Sequence, residues 1–325
     1  MMKKISDYAA EAEMALRALN LSQKEPASLY APVDYALSSG GKRLRPGLVL
    51  MTAQSFGGEK ALEAAQKPAA GIEMFHNFTL LHDDVMDNSE MRRGRESVWK
   101  KWDNTTAILS GDTMLTLATE LVAHVDDSKL RKVLEIFNNM ALEVYEGQRL
   151  DLDFEKTEVV NSDTYIEMIR KKTGALLGAA AAIGAVIGNA SDKDISAMIT
   201  FGNMLGIAFQ IQDDWLDTFG DSSTFGKPIG GDILNDKKTF LLVKAMEADP
   251  GTVDALKVTM KELKGEAKIK AVTRIYDKLS LNEVTRQAVS FYTKQALKAL
   301  KSTSLSEEYK EPFRLLVEKL TGRKK

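Results

Sequence analysis

Leu81-His82-Asp83-Asp84-Val85-Met86-Asp87 and Gln210-Ile211-Gln212-Asp213-Asp214-Trp215-Leu216-Asp217 carry one pattern, D-D-x-x-D, 130 residues apart counted from Asp83 to Asp213. Both lie in a proline-free stretch, residues 69–227, that is dense in Ala, Leu, Met, Glu and Lys. These are good helix formers. Apolar residues recur there at helical spacing, as in Leu130, Val133, Leu134, Phe137 and Leu142, whereas strict alternation is hard to find. An all-α fold follows. In a helix the first and last aspartates of each box share a face, where like charges repel. A lone box among 46 acidic residues reads as a solvated helix face. Here Phe78, Leu80 and Leu81 precede the first box, and Ile207, Ala208, Phe209 and Ile211 surround the second. Carboxylates in apolar surroundings are costly unless paired or metal-bound. Two such boxes with no soft ligand point to Mg²⁺, which takes oxygen ligands and shares them with substrate phosphates.

Outward from the boxes, the 325 residues are 44% apolar with a net charge of −2, so no global field favours nucleic acid or an anionic membrane. Cysteine is absent, which excludes disulfide and thiolate chemistry and fits a cytoplasmic protein. Met1 to Asn20 lacks the apolar core of a signal peptide. The longest apolar run, Gly174 to Gly188, is shorter than the roughly 20 residues of a membrane span. It reads as a buried helix with close neighbours. Breaks are expected at Ser55–Gly58, Asn88–Gly94, Phe154–Asp163, Gly188–Asp192 and Phe219–Asp232. Val284, Ala288, Phe291, Tyr292 and Leu297 mark a helix that packs on the same core, so residues 1–325 are expected to form one domain.

Basic residues cluster around the boxes. Gly40-Gly41-Lys42-Arg43-Leu44-Arg45-Pro46 joins two glycines, which admit a close anion, to Lys42 and Arg45 at i, i+3. Met91-Arg92-Arg93-Gly94-Arg95 follows the first box, and arginine suits fork-like phosphate contacts. Lys171-Lys172-Thr173 opens the small-residue helix, and Gly226-Lys227-Pro228 through Gly231-Asp232, then Lys237-Lys238-Thr239, follow the second box. Each alone is a plain charged surface. Together with the carboxylates they describe a diphosphate site. His76, His82 and His124 have no zinc-ligand spacing.

In this order, with Phe75-His76-Asn77-Phe78-Thr79-Leu80-Leu81 before the first box, Leu109-Ser110-Gly111-Asp112, Gly147-Gln148-x-x-Asp151 and Lys172-Thr173-Gly174-Ala175, the sequence resembles the trans-isoprenyl diphosphate synthases (polyprenyl synthases) of the short-chain type. The matching elements span residues 40–240. The resemblance implies an isoprenoid-synthase-like helical bundle around a central cavity, with the boxes facing each other across its mouth, and a homodimer. It implies Asp83, Asp84, Asp87, Asp213 and Asp217 as metal ligands for three Mg²⁺ ions, with Mn²⁺ as a substitute. Arg92, Lys172, Lys227 and Lys237 match positions that hold the allylic diphosphate. Gly41, Lys42, Arg45, His76 and Arg93 match those that hold isopentenyl diphosphate, and Thr173 and Gln210 those whose oxygens face the cation. The implied reaction is head-to-tail condensation without a protein general base.

A terpene cyclase would carry a different second metal box and no isopentenyl clamp. A non-catalytic subunit would have lost a box, and a squalene-type synthase would lack the Lys42/Arg45 pattern. Phe78, five residues before Asp83, is about 7–8 Å deep along a helix. Aromatic residues at that depth act as a floor in the family, with Phe75 a turn deeper and Thr79 small. The first box lacks the two extra residues of common bacterial farnesyl synthases. The expectation is a C20 product, geranylgeranyl diphosphate, with C15 as the alternative. The basic tail Thr321-Gly322-Arg323-Lys324-Lys325 reads first as a solvated chain end, with the lid over the isopentenyl site that the resemblance implies as the alternative.

Overall fold

The computed structural model describes residues 3–220 and 229–322. Lys227 and Arg323–Lys325, which the sequence analysis singled out, lie outside the described residues. The helices are α1 (Ile5–Arg17), α2 (Ala27–Ser38), α3 (Leu44–Ala64), α4 (Gln66–Met86), α5 (Val98–Lys101), α6 (Asn104–Val122), α7 (Asp127–Lys156), α8 (Ser162–Ile169), α9 (Ala175–Ile187) and α10 (Asp192–Phe219). They continue with α11 (Gly231–Leu234), α12 (Phe240–Met246), α13 (Pro250–Glu262), α14 (Gly265–Lys278), α15 (Leu281–Lys301) and α16 (Glu307–Thr321). The fold is all-α apart from one antiparallel hairpin, β1 (Met91–Arg92) and β2 (Arg95–Glu96). That hairpin fills the break expected at Asn88–Gly94. Its turn has Arg93 and Gly94 at positive φ.

The other breaks have visible causes. Gly58 has φ +70 and kinks α3 instead of ending it. Asn161 caps α8 by accepting from Thr164 N, 2.8 Å away. The chain also departs from α geometry at Arg170–Gly174, a π turn between α8 and α9 that the spacing did not reveal. Such turns are rare and recur at functional sites.

Contacts divide the chain into two compact units. One comprises residues 1–139, 179–199 and 303–312, and the other residues 140–178, 200–302 and 313–325. In the first, Phe75, Phe137, Leu48, Leu50, Met51 and Ile72 are fully buried among α3, α4 and α7. Its small residues permit backbone contact. A Cβ at Gly184 would lie 2.4 Å from the Val49 carbonyl oxygen. In the second, Tyr165, Met168, Ile169, Ile207, Ile211, Phe240 and Val243 form one cluster, and Leu241, Leu256, Val272 and Tyr276 belong to another. There Gly174 and Gly178 meet Gly206 and Gly202 of α10 backbone to backbone. The Gly174–Gly188 run is thus the close-packed helix its composition predicts. Among the described residues, α10 alone is long and apolar enough to cross a membrane. Most of its apolar window is buried in the fold, so core packing accounts for its composition.

Candidate functional site

The first box closes α4. Asp83 and Asp84 lie in its last turn, and the Asp87 N–H donates to the Asp83 carbonyl at 2.8 Å. Carboxylates at a helix C-terminus oppose the macrodipole. A cation would relieve both that and their mutual repulsion. The three do not point alike. Asp84 is buried and accepts from Arg92 Nε at 2.9 Å and from Nη2. Burial raises its proton affinity, which the Arg92 contact partly offsets. Asp84 was expected among the metal ligands; its carboxylate is turned to Arg92. Asp83 is half-buried and Asp87 exposed.

Four arginines and a histidine gather in the same unit. Arg43, at φ +45 ahead of α3, is buried between Glu13 and Glu73, 2.7 Å from each, and donates to the Leu37 carbonyl. This locks the start of α3 and sets Arg45 two residues further on. Arg45 Nη1 lies 3.2 Å from His76 Nε2, and among the described residues its buried Nε has no partner. Burial, then Arg45, Arg93 and Arg92, push the His76 imidazole well below its usual 6.5. It is therefore neutral, and Nε2 accepts from Arg45. An arginine with an unmet donor among like charges is a place for an anion. The Gly40-Gly41 pair also meets Arg93. Arg93 donates to the Gly40 carbonyl, and a Cβ at Gly41 would meet the Arg93 guanidinium at 3.1–3.2 Å. The missing Cβ at Gly41 leaves room for the Arg93 guanidinium. Lys42 is exposed, and Arg95 leaves the cluster to stack on Tyr35, 4.0 Å from its ring centre.

The second unit holds a cleft lined by Lys172, Thr173, Gln210, Asp214, Lys237 and Thr239, with Tyr165, Met168 and Ile169 as its apolar wall. The π turn brings Lys172 there. Gly147 of α7 lies so close that a Cβ would sit 2.4 Å from Lys172 N, and one turn on Asp151 holds Lys172 Nζ at 2.6 Å. The spacing Gly147-Gln148-x-x-Asp151 thus has a direct physical reason. Thr173 Oγ1 donates to Gln210 Oε1 at 3.2 Å, and Gln210 Nε2 donates to Asp214 Oδ1 at 3.1 Å. Asp214 Oδ2 accepts from Tyr165 Oη and from Phe240 N at 2.8 Å.

The second box also lies in the closing turns of its helix, α10. Asp213 is half-buried. Asp217 is buried and accepts from Asp232 N at 3.0 Å. Burial, then the Asp232 charge, raise Asp214 to about 7 and Asp217 to about 6. Lys237 Nζ, 3.9 Å from Asp232, only partly compensates. The sequence assigns no role to Asp151, Asp214 or Asp232. Asp151 pairs with Lys172, 21 residues on, and Asp214 with Tyr165 and Phe240, 49 and 26 residues away, contacts that no local spacing exposes.

An aromatic row runs along α4. Phe137 packs on Phe75 at 5.4 Å, Phe75 on Phe78 at 5.5 Å, and Phe78 on His82 at 4.8 Å between ring centres. Gly111 of α6 leaves room for the His82 ring, which a Cβ would strike at 2.2 Å. Thr79, half-buried, donates to the His76 carbonyl.

The profile of the polyprenyl synthetase family matches residues 26–279. The geranylgeranyl diphosphate synthase of Sulfolobus acidocaldarius is 36% identical over 284 residues, 85% of this chain and 84% of that one. The geranylfarnesyl diphosphate synthase of Aeropyrum pernix is 35% identical over 301 residues, 90% and 93% of the two chains. A crystal structure of a geranylgeranyl pyrophosphate synthase superposes with a TM-score of 0.93 at 39% identity, covering both chains entirely. Another, from Corynebacterium glutamicum in complex with isoprenyl diphosphate and magnesium, gives 0.86 at 26% over both whole chains. The chain belongs to the polyprenyl synthetase family and is a prenyltransferase of its short-chain group.

Proposed function

We propose that this chain condenses isopentenyl diphosphate head to tail with dimethylallyl, geranyl or farnesyl diphosphate, and that geranylgeranyl diphosphate is its main product. One observation carries the reading. Lys172, Thr173, Gln210 and Lys237, which the resemblance singles out over 65 residues of sequence, line a single cleft.

The donors fit Mg²⁺. Asp83, Asp87, Asp213 and Asp217 supply hard oxygens at negative helix ends. Among the described residues no three His, Cys, Asp or Glu side chains converge into a preformed site. That suits a cation that keeps waters and completes its shell with substrate phosphate oxygens. Bound there, three Mg²⁺ ions, or Mn²⁺ in their place, would neutralise the leaving diphosphate. Lys172, Lys237, Arg92 and Lys227 hold that diphosphate as the allylic C–O bond breaks and the electron pair leaves with it. Thr173 Oγ1 and Gln210 Oε1 face the allyl cation. Arg45, Arg93, Lys42 and the Gly41 backbone hold isopentenyl diphosphate, with neutral His76 orienting Arg45. Its double bond supplies the pair for the new C–C bond. A proton then passes to the departing diphosphate. Groups that meet charge only as it develops lower the barrier rather than merely bind.

Phe78, braced by Phe75, limits the product. The reading extends to a cytoplasmic homodimer in which residues 1–325 work as one domain. Exposed Ile108 and Leu109 on α6 offer an apolar face for a second copy. Purified protein given labelled isopentenyl diphosphate and each primer tests the function. After dephosphorylation, chromatography should show mainly C20 alcohol. No labelled product with any primer would refute elongation, and a main product at C15 or C25 would refute the length.

A further inference from the structure

Between Phe240 and the basic tail the sequence offers no motif, yet α14 buries a lysine almost completely. Lys268 is 2% exposed. Its Nζ lies 2.7 Å from Asp236 Oδ1 and 3.4 Å from the Leu234 carbonyl oxygen. Leu234 ends α11, and Asp236 stands just beyond it at φ +53. The next residue of α14, Ile269, presses on the other end of the same segment. A Cβ at Gly230, φ +84, would meet the Ile269 side chain at 2.7–2.9 Å. Lys268 and Ile269 therefore grip the segment 230–236 at both ends.

What lies between the grips touches the second box and leads into Lys237, which lines the cleft. Gly230 N donates to the Asp217 carbonyl at 2.6 Å and Asp232 N to Asp217 Oδ2 at 3.0 Å. Lys237 N closes back on the Asp232 carbonyl at 3.0 Å. The segment thus braces the last aspartate of the second box and launches the lysine assigned to the allylic diphosphate. Stability does not account for the buried ammonium. Its carboxylate partner has a side chain 56% exposed, and such a pair contributes little against the cost of desolvation. A methionine would fill the space at lower cost. A fixed three-donor head that reaches both a helix-end carbonyl and a left-handed aspartate supplies geometry instead.

We propose that Lys268 is a positioning residue for the allylic half of the site: through Asp236 and the Leu234 carbonyl it sets the turn that carries Asp232 and Lys237. The inference rests on the elongation reading above. The experiment compares Lys268→Met, Asp236→Asn and the double variant with the full-length wild type in steady-state elongation at saturating Mg²⁺. Each single variant should raise KM for the allylic diphosphate about tenfold, the effect of weakening one charge-assisted contact. KM for isopentenyl diphosphate should stay within twofold, and the melting temperature of Lys268→Met, which removes the buried charge itself, should not fall. The double variant should be no worse than either single one, because both cut the same link. Unchanged allylic KM would overturn the proposal, as would equal rises in both KM values or a double variant at the product of the single effects. Lower kcat with both KM values intact and earlier melting would make Lys268 a plain core residue and overturn it too. An active wild type beside an unaltered variant defeats this inference alone, whereas an inactive wild type defeats the reading beneath it as well.

Discussion

Asp214→Asn changes one atom and should turn Gln210 round. In the wild type, Asp214 Oδ2 is committed to Tyr165 Oη and Phe240 N, and Oδ1 accepts from Gln210 Nε2. Gln210 therefore presents Oε1 toward Thr173 and the cleft. In the variant the Asn oxygen must stay with Phe240 N, because an unpaired buried N–H is costly. Its NH₂ then faces Gln210, whose amide reverses and points its own NH₂ at the developing allyl cation. Losing one preorganised contact to transition-state charge costs about 3–4 kcal/mol, roughly 10²–10³ in kcat. Neither diphosphate clamp is touched, so both KM values should hold. The same substitution has a signature without metal or substrate. Asp214 rises from 3.8 to about 7, chiefly through burial. A folded-state value above the unfolded one contributes stability that is complete below about pH 4 and is lost as pH climbs through about 7. The rise corresponds to about 4 kcal/mol as an order of magnitude. Chelator-treated wild type should therefore become less stable to denaturant from pH 4 to pH 7, and Asp214→Asn should flatten that slope. A variant kcat within threefold of wild type, or equal pH slopes, would refute this chain of hydrogen bonds.

Other perturbations address the remaining parts. Asp83→Ala and Asp213→Ala should each lower kcat about a hundredfold, about 3 kcal/mol, and excess chelator should silence the wild type; full turnover in chelator would disprove the metal assignment. Arg45→Ala, which removes the donor with an unmet Nε, should raise KM for isopentenyl diphosphate about tenfold or more and leave the allylic KM nearly unchanged; the opposite ranking would exchange the two clamps. Phe78→Ala should lengthen the product and cost about 3–5 kcal/mol of stability, with Phe75→Ala lengthening it further. If both variants make the wild-type product, the aromatic row on α4 is not the ruler.

The helices were legible because periodicity and the absence of proline between residues 69 and 227 act locally. So was the close packing of Gly174–Gly188, since small residues leave few other options. The direction of single side chains was not. Nothing around Gly40-Gly41 announces that Arg93, half a hundred residues on, packs against them. The π turn at Arg170–Gly174 packs Lys172 against Gly147 of α7, a contact that nothing near Lys172 announces. Lys268 looks like any solvated lysine of an amphipathic helix. It is the fold that buries it over Asp236.

In each box the middle aspartate meets partners that the motif itself does not show. At 100° per residue, the first and last aspartates of D-D-x-x-D fall on one face, and the middle one is swung toward the protein. Asp84 meets Arg92, and Asp214 meets Tyr165, Phe240 N and Gln210. The geometry sets the middle carboxylate of each box apart as one that orders its neighbours. The division has different consequences in the two boxes. Asp84 holds an arginine assigned to the diphosphate, so its loss should act on binding. Asp214 holds an amide that faces developing carbocation charge, so its loss should act on the chemical step. Two identical motifs thus differ in function because their middle residues meet different partners.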